Sequence, residues 1–171
     1  ADEVDIPQIL YNVPGRTSVD MLPETVFRLS SHDNIIGIKE ASGNKERSKS
    51  LMKSCSDNMK IFTGDDKTSM SDITDGFSGN ISVTANVAPN AMHSMCKNAS
   101  DGNIDLASEI NTRLDILHES LFCESNPIPV KWCLNKMGLI KKGIRLPLTW
   151  MDPKYDNLMN EALYKSGVFD E

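Results

Sequence analysis

No apolar run in this chain approaches ~18 residues, so no segment is long enough to cross a bilayer as a helix. There is no dense block of lysine and arginine, and the formal net charge is −6; both features argue against nucleic acid as a partner. The sequence shows no N-terminal basic and apolar signal segment. Its cysteines, Cys55, Cys96, Cys123 and Cys133, include no C-x-x-C pair. That removes the common zinc and dithiol spacings and leaves reduced, mostly packed thiols of a cytosolic protein as the expectation. His32, His93 and His118 lack metal-ligand spacing, so surface or internally satisfied rings are expected, with no metal. Low-complexity segments are also missing.

What is present is ordinary for one globular domain with a sizeable core: 171 residues, 39% hydrophobic and 25% charged. Strand-like apolar runs recur at Pro7 to Val13, Ile35 to Lys39, Lys60 to Gly64 and Asn80 to Ala85. Helical patterns lie between them. One begins at Leu22-Pro23-Glu24, with proline early in the first turn. Others cover Asn44 to Ser54, Asp66 to Asp75 before Gly76, and Pro89 to Ala99, where Met92, Met95, Cys96 and Ala99 form a stripe. The methionines, Met70 included, read as core filler. Strand and helix alternating at this interval indicate βα units on a parallel sheet, in a barrel or a doubly wound fold. A full barrel needs eight units and about 250 residues; four are found here. The chain starts at Ala1 and enters a strand almost at once, which suggests a processed or partial chain.

Beyond residue 100 the pattern is all helix. Ala107, Ile110, Leu114, Leu117 and Leu121 make one stripe, and Val130, Cys133, Leu134 and Met137 another, closed by Gly138 as a C′ residue. Asp152-Pro153 supplies N-cap and N1 for a last helix ending near Gly167. The expected boundary falls near Asp101-Gly102-Asn103, giving a βα part over residues 1–101 and a helical part over 102–171.

The segment that carries chemistry is Ile35-Ile36-Gly37-Ile38-Lys39-Glu40. A short β-branched run of this kind reads as a strand buried on both faces. Its lysine stands at the C-terminal end, where α/β folds place their sites. A free lysine has a pKa near ~10.4, so well under a thousandth is neutral at pH 7, and only the neutral amine attacks a carbonyl. Lowering that value by ~3 needs about 4 kcal/mol, which burial or neighbouring cations can supply. Lys39 is thus a candidate Schiff-base nucleophile; the alternative is a solvated lysine paired with Glu40. Other strand ends are unusual too. Tyr11-Asn12-Val13-Pro14-Gly15-Arg16-Thr17 closes the first strand, Thr63-Gly64-Asp65-Asp66 the third, and Gly79-Asn80-Ile81-Ser82-Val83-Thr84-Ala85-Asn86 the fourth. Read alone, Tyr11 could be a packed ring and Arg16 a surface turn residue. Asp65-Asp66 reads mainly as a helix N-cap with a first-turn acid.

Together with Asn126-Pro127-Ile128-Pro129-Val130-Lys131-Trp132, these motifs resemble the dihydrodipicolinate synthase (4-hydroxy-tetrahydrodipicolinate synthase) family. That family belongs to the pyruvate-dependent class I aldolases, which include N-acetylneuraminate lyase. The likeness covers essentially the whole chain. Arg16 and the Asn-Pro-Ile-Pro-Val-Lys-Trp segment favour the synthase. The resemblance implies the second half of a TIM (β/α)8 barrel followed by a C-terminal helical domain, in a cytoplasmic homotetramer. The first barrel half lies outside this chain.

By the same resemblance, Lys39 condenses with pyruvate and Tyr11 relays protons. Arg16 holds the carboxylate of aspartate 4-semialdehyde, the backbone of Ile81 faces the pyruvate carboxylate, and Gly64 and Asp65 line the pocket. No metal or organic cofactor is implied. The family's threonine, its second tyrosine and its regulatory lysine-binding residues fall in the half not represented. Asn80 departs from the family, which usually has an apolar residue there. Two rivals remain: a neuraminate lyase or keto-sugar-acid aldolase using the same lysine, and an inactive half-barrel with only structural or interaction behaviour.

Overall fold

The computed structural model describes residues 1–170. The chain divides into two compact units, Ala1–Ile81 with Ala99–Gly102, and Ser82–Asn98 with the chain from Asn103 onward.

The first unit is built on strands β1 (Gln8–Asn12), β2 (Ile35–Glu40), β3 (Lys60–Thr63) and β4 (Gly79–Asn80). All pair in parallel, in the order β1-β2-β3-β4. This order separates the two architectures that alternating βα units allow. A doubly wound sheet reverses its strand order at a switch point, whereas a barrel keeps adding strands on the same side. Here spatial order equals chain order, as in a barrel. Helices α1 (Pro14–Thr17), α2 (Pro23–Leu29), α3 (Lys45–Cys55) and α4 (Ser69–Thr74) lie between the strands. Pro23 begins α2 in its first turn, and Asn44 caps α3 by accepting the Arg47 N–H at 2.9 Å. Ile38 and Ile61 are cross-strand partners and are buried, as are Val26 of α2 and Leu51 of α3.

The opposite face is open along β1, whereas β2 keeps Ile35 and Gly37 buried there. Ile9 is 46% and Tyr11 49% exposed.

Two elements depart from the sequence pattern. The fourth strand, expected to reach Ala85, keeps only Gly79 and Asn80, and Thr84–Asn86 is a 3-10 turn. Its outer edge has no further strand among the described residues, and local bonds take over: Ser82 Oγ accepts the Ala85 N–H, and Asn86 Nδ2 donates to the Val83 carbonyl. Helix α4 starts at Ser69 rather than Asp66. Asp65 Oδ1 instead accepts the Lys67 N–H at 2.9 Å, a local turn that competes with helix. The Asp66 carboxylate accepts from Asn80 Nδ2 at 2.9 Å. Neither acid is the cap of α4.

The second unit contains α6 (Ile104–Ser120), α7 (Ile128–Lys136), α8 (Asp156–Lys165) and most of α5 (Pro89–Ser100). The stripe of α6 is its core face: Ala107, Leu114, Leu117 and Leu121 are fully buried, and α6 packs on α8. Met92 and Met95 are buried in α5 as filler. Gly138 follows α7 at φ +76, where a side chain would be strained, and its N–H donates to the Asn135 carbonyl. Asp152 caps the final helical stretch through the Lys154 N–H. His118 is a buried core ring, its Nδ1 2.8 Å from Thr84 Oγ1, and His32 meets Asp2 at 2.7 Å.

Candidate active site

The site is assembled from the C-terminal ends of β1, β2 and β3. Tyr11 and Lys39 are direct cross-strand partners, so their side chains leave the sheet on the same face. Lys39 Nζ lies 4.4 Å from the centroid of the Tyr11 ring, a cation–π distance. Glu40, one residue on, points the other way. It is 3% exposed, and its carboxylate is held by Arg47 Nε at 2.6 Å, Asn12 Nδ2 at 3.0 Å and the Ser42 N–H at 2.8 Å. The pairing of Lys39 with Glu40 is therefore excluded, and Lys39 makes no ion pair among the described residues.

Gly64, just past β3, lets the Lys39 stem lie across the strand end. A Cβ there would stand 2.5 Å from Lys39 Cε and 2.7 Å from Ala41 Cβ. Asp65 turns back toward the loop after β2: a Cβ on Gly43, which has φ +67, would meet Asp65 Oδ2 at 2.7 Å. Glycine at 43 thus allows the β2 and β3 loops to approach closely. Ile81 is 41% exposed, and its N–H donates to the Thr63 carbonyl at 2.9 Å, so that N–H is engaged. Arg16 lies in the single-turn helix α1, is exposed, and makes no ion pair among the described residues. A cavity of about 680 Å³ lies at the other end of the strands, lined by residues such as Ser30, Ile35, Asp57 and Lys60, and is separate from this site.

Sequence reasoning missed Asn12, Asp20 and Arg47. Asn12 and Arg47 bond to Glu40 on the face opposite Lys39, and both also bond to Asp20. The available signal was the period of two: a residue next to Lys39 in a strand must face away from it.

A family model described as the Dihydrodipicolinate synthetase family matches residues 1–166. A 4-hydroxy-tetrahydrodipicolinate synthase of Pseudomonas aeruginosa is 55% identical over 168 residues, which are 98% of this chain and 58% of that protein. A crystal structure of the chloride-inhibited dihydrodipicolinate synthase of Acinetobacter baumannii, complexed with pyruvate, matches with a TM-score of 0.95 at 47% identity, over 98% of this chain and 57% of that one. A monomeric dihydrodipicolinate synthase variant matches with a TM-score of 0.91 at 36% identity, again over 98% and 57%. The chain spans a little under three fifths of the length of these proteins. With a half-barrel of matching strand order and a match along nearly all its residues, the chain belongs to the dihydrodipicolinate synthetase family.

Proposed function

We propose that this chain carries the nucleophile-bearing part of an enzyme that condenses pyruvate with aspartate 4-semialdehyde in lysine (diaminopimelate) biosynthesis. The observation that carries it is the Lys39 amine 4.4 Å from the Tyr11 ring centroid, at the C-terminal ends of adjacent parallel strands.

In this reading neutral Lys39 Nζ attacks the keto carbon of pyruvate. A C–N bond forms, and the former carbonyl oxygen takes up protons and leaves as water. The resulting iminium is the electron sink, so the chemistry needs no metal or organic cofactor. Loss of a methyl proton gives an enamine, whose carbon attacks the aldehyde; the aldehyde oxygen takes a proton. The semialdehyde's own amine then attacks the imine carbon, closing the ring and releasing Lys39. Tyr11 carries protons in the imine and cyclisation steps. Arg16 grips the semialdehyde carboxylate with its planar fork. Gly64, Asp65 and Ile81 line the pocket.

Residues 1–101 supply the barrel part and 102–171 the helical domain. The partners are the two substrates, the N-terminal half of the barrel and further copies of the protein, in a cytoplasmic tetramer. Ultracentrifugation checks that assembly, since a monomeric variant exists among the relatives.

Borohydride reduction in the presence of pyruvate tests the central step. The complete enzyme is expected to carry the adduct on Lys39. An adduct on another lysine, or none in active enzyme, overturns the assignment. The rival reading, a sugar-acid aldolase, shares the imine but not the need for Arg16. Arg16→Ala should impair semialdehyde use while leaving the pyruvate adduct intact.

A further inference from the structure

Behind Lys39 and Tyr11, on the other face of the sheet, their neighbours Glu40 and Asn12 centre a buried polar cluster. They are cross-strand partners, 3% and 2% exposed. Asn12 Nδ2 donates to Glu40 Oε2 and to Asp20 Oδ1, both at 3.0 Å, and Asn12 Oδ1 accepts the Met21 N–H at 2.9 Å. Arg47, in the first turn of α3, joins the same groups. Its Nε donates to Glu40 Oε2 at 2.6 Å, its Nη1 to Asp20 Oδ2 at 3.0 Å, and its Nη2 to the Met21 carbonyl oxygen. One guanidinium thus ties the strand end beside Lys39 to residues 20 and 21.

Residues 20 and 21 close the loop that carries Arg16. That loop has little else to hold it. Its helix α1 is a single turn without a buried residue, Ser18 sits in a left-handed conformation at φ 56, and Val19 is 70% exposed. The loop is therefore anchored at its start by β1 and at its end by the cluster. A rigid fork reaching acceptors on two separate segments is a task for arginine, which a lysine ammonium cannot reproduce. Buried ion pairs are weak sources of net stability. Placement is the better account of this one.

We infer that Arg47, with Asp20 and Asn12, is a positioning clamp that fixes the Arg16 loop relative to Lys39. The clamp touches no substrate, yet it sets the affinity for the carboxylate that Arg16 holds. The substrate half of this inference rests on the proposed reaction; the clamp itself does not.

The test uses the complete enzyme with Asp20→Ala, Asp20→Asn and Arg47→Lys. Asp20 is partly exposed, with 42% of its side chain accessible, so its removal leaves no sealed cavity. Tryptic cleavage after Arg16 in the native protein reads the loop directly. It should run ~10-fold faster in Asp20→Ala and in Arg47→Lys, as expected if a local opening equilibrium shifts by one decade. The KM for aspartate 4-semialdehyde should rise by a similar ~10-fold, with the KM for pyruvate and the borohydride adduct within about twofold. Asp20→Asn keeps an acceptor oxygen and should fall between Asp20→Ala and the parent. Unchanged cleavage and unchanged KM for the semialdehyde would overturn the clamp. So would equal losses for both substrates with a lowered Tm, the signature of a purely structural role. If the unsubstituted enzyme formed no pyruvate adduct, the proposed reaction would fail and take the substrate half with it; the cleavage rates would still decide on the clamp.

Discussion

A Cβ placed on Gly64 would stand 2.5 Å from Cε of Lys39. That is closer than two carbon atoms pack, so any side chain at 64 must displace the lysine stem or the Ala41 methyl, also only 2.7 Å away. The lysine is the more flexible of the two. Gly64→Ala should therefore fold but carry its amine out of place. Displacements of about 1 Å at a reacting group cost on the order of 10²-fold in rate. Steady-state kinetics on the complete enzyme, with circular dichroism to verify folding, give the answer. Full activity in Gly64→Ala would show that Lys39 reaches its working position by another path.

Tyr11→Phe separates the ring from its hydroxyl. The ring's contact with Lys39 survives, and at this half-exposed position the fold should tolerate the loss of the hydroxyl. Groups that move protons contribute ~10²–10⁴-fold, and a loss in that range is expected in kcat. Near-normal turnover would reduce Tyr11 to a packing residue.

Residues 1–171 expressed alone present two open sheet edges, β1 and β4. Unpaired backbone groups that become buried cost ~1–3 kcal/mol each, against a whole-domain margin of ~5–15 kcal/mol. This chain by itself should self-associate and show no condensation until the other barrel half is supplied. A sedimentation profile of a clean monomer, together with measurable turnover, would contradict both expectations.

Cys133 is fully buried in α7. Burial, with a smaller contribution from Cys123, pushes its thiol from 9.0 up to about 12. The folded value lies above the unfolded one, so this thiol's contribution to stability is complete below pH 9 and is lost as pH rises toward 12. Native protein should resist alkylation at Cys133 at about pH 8 and react only on unfolding. Urea midpoints between about pH 8 and pH 10.5 should fall more steeply in the parent than in Cys133→Ala. Equal slopes would show that Cys133 titrates normally in the folded state.

The strands β1, β2 and β3 were legible to within a residue or two because each is a short apolar run bounded by turn residues, a local signal. Gly138 as a helix stop and Asp152 as an N-cap were legible for the same reason: each satisfies backbone groups a few residues away. Lys39 was legible as a candidate site residue, since a lysine at the C-terminal end of a buried strand stands where α/β folds place their sites. The length of β4 and the start of α4 were not. Ile81 to Ala85 are good strand residues, but a strand is held by its neighbours, and the outer edge of β4 has none among the described residues. Asp65 has the composition of a cap, yet its carboxylate is taken up by its own turn onto Lys67.

Glu40 shows where sequence stops and tertiary structure begins. Its place beside Lys39 in the chain suggested an ion pair, and the alternation of a strand forbids it. Its actual partner, Arg47, reaches it from the first turn of a helix, and the same guanidinium reaches back 27 positions to Asp20. By itself the sequence determined the βα rhythm, the helical C-terminal part and a lysine at a strand end, because these follow from propensity and periodicity. Only the tertiary structure decided that the strands run in chain order, that Tyr11 lies against Lys39, and that Arg47 locks the far face. Those relations depend on which strand pairs with which and which helix covers which face, and both are set by packing between segments far apart in the chain.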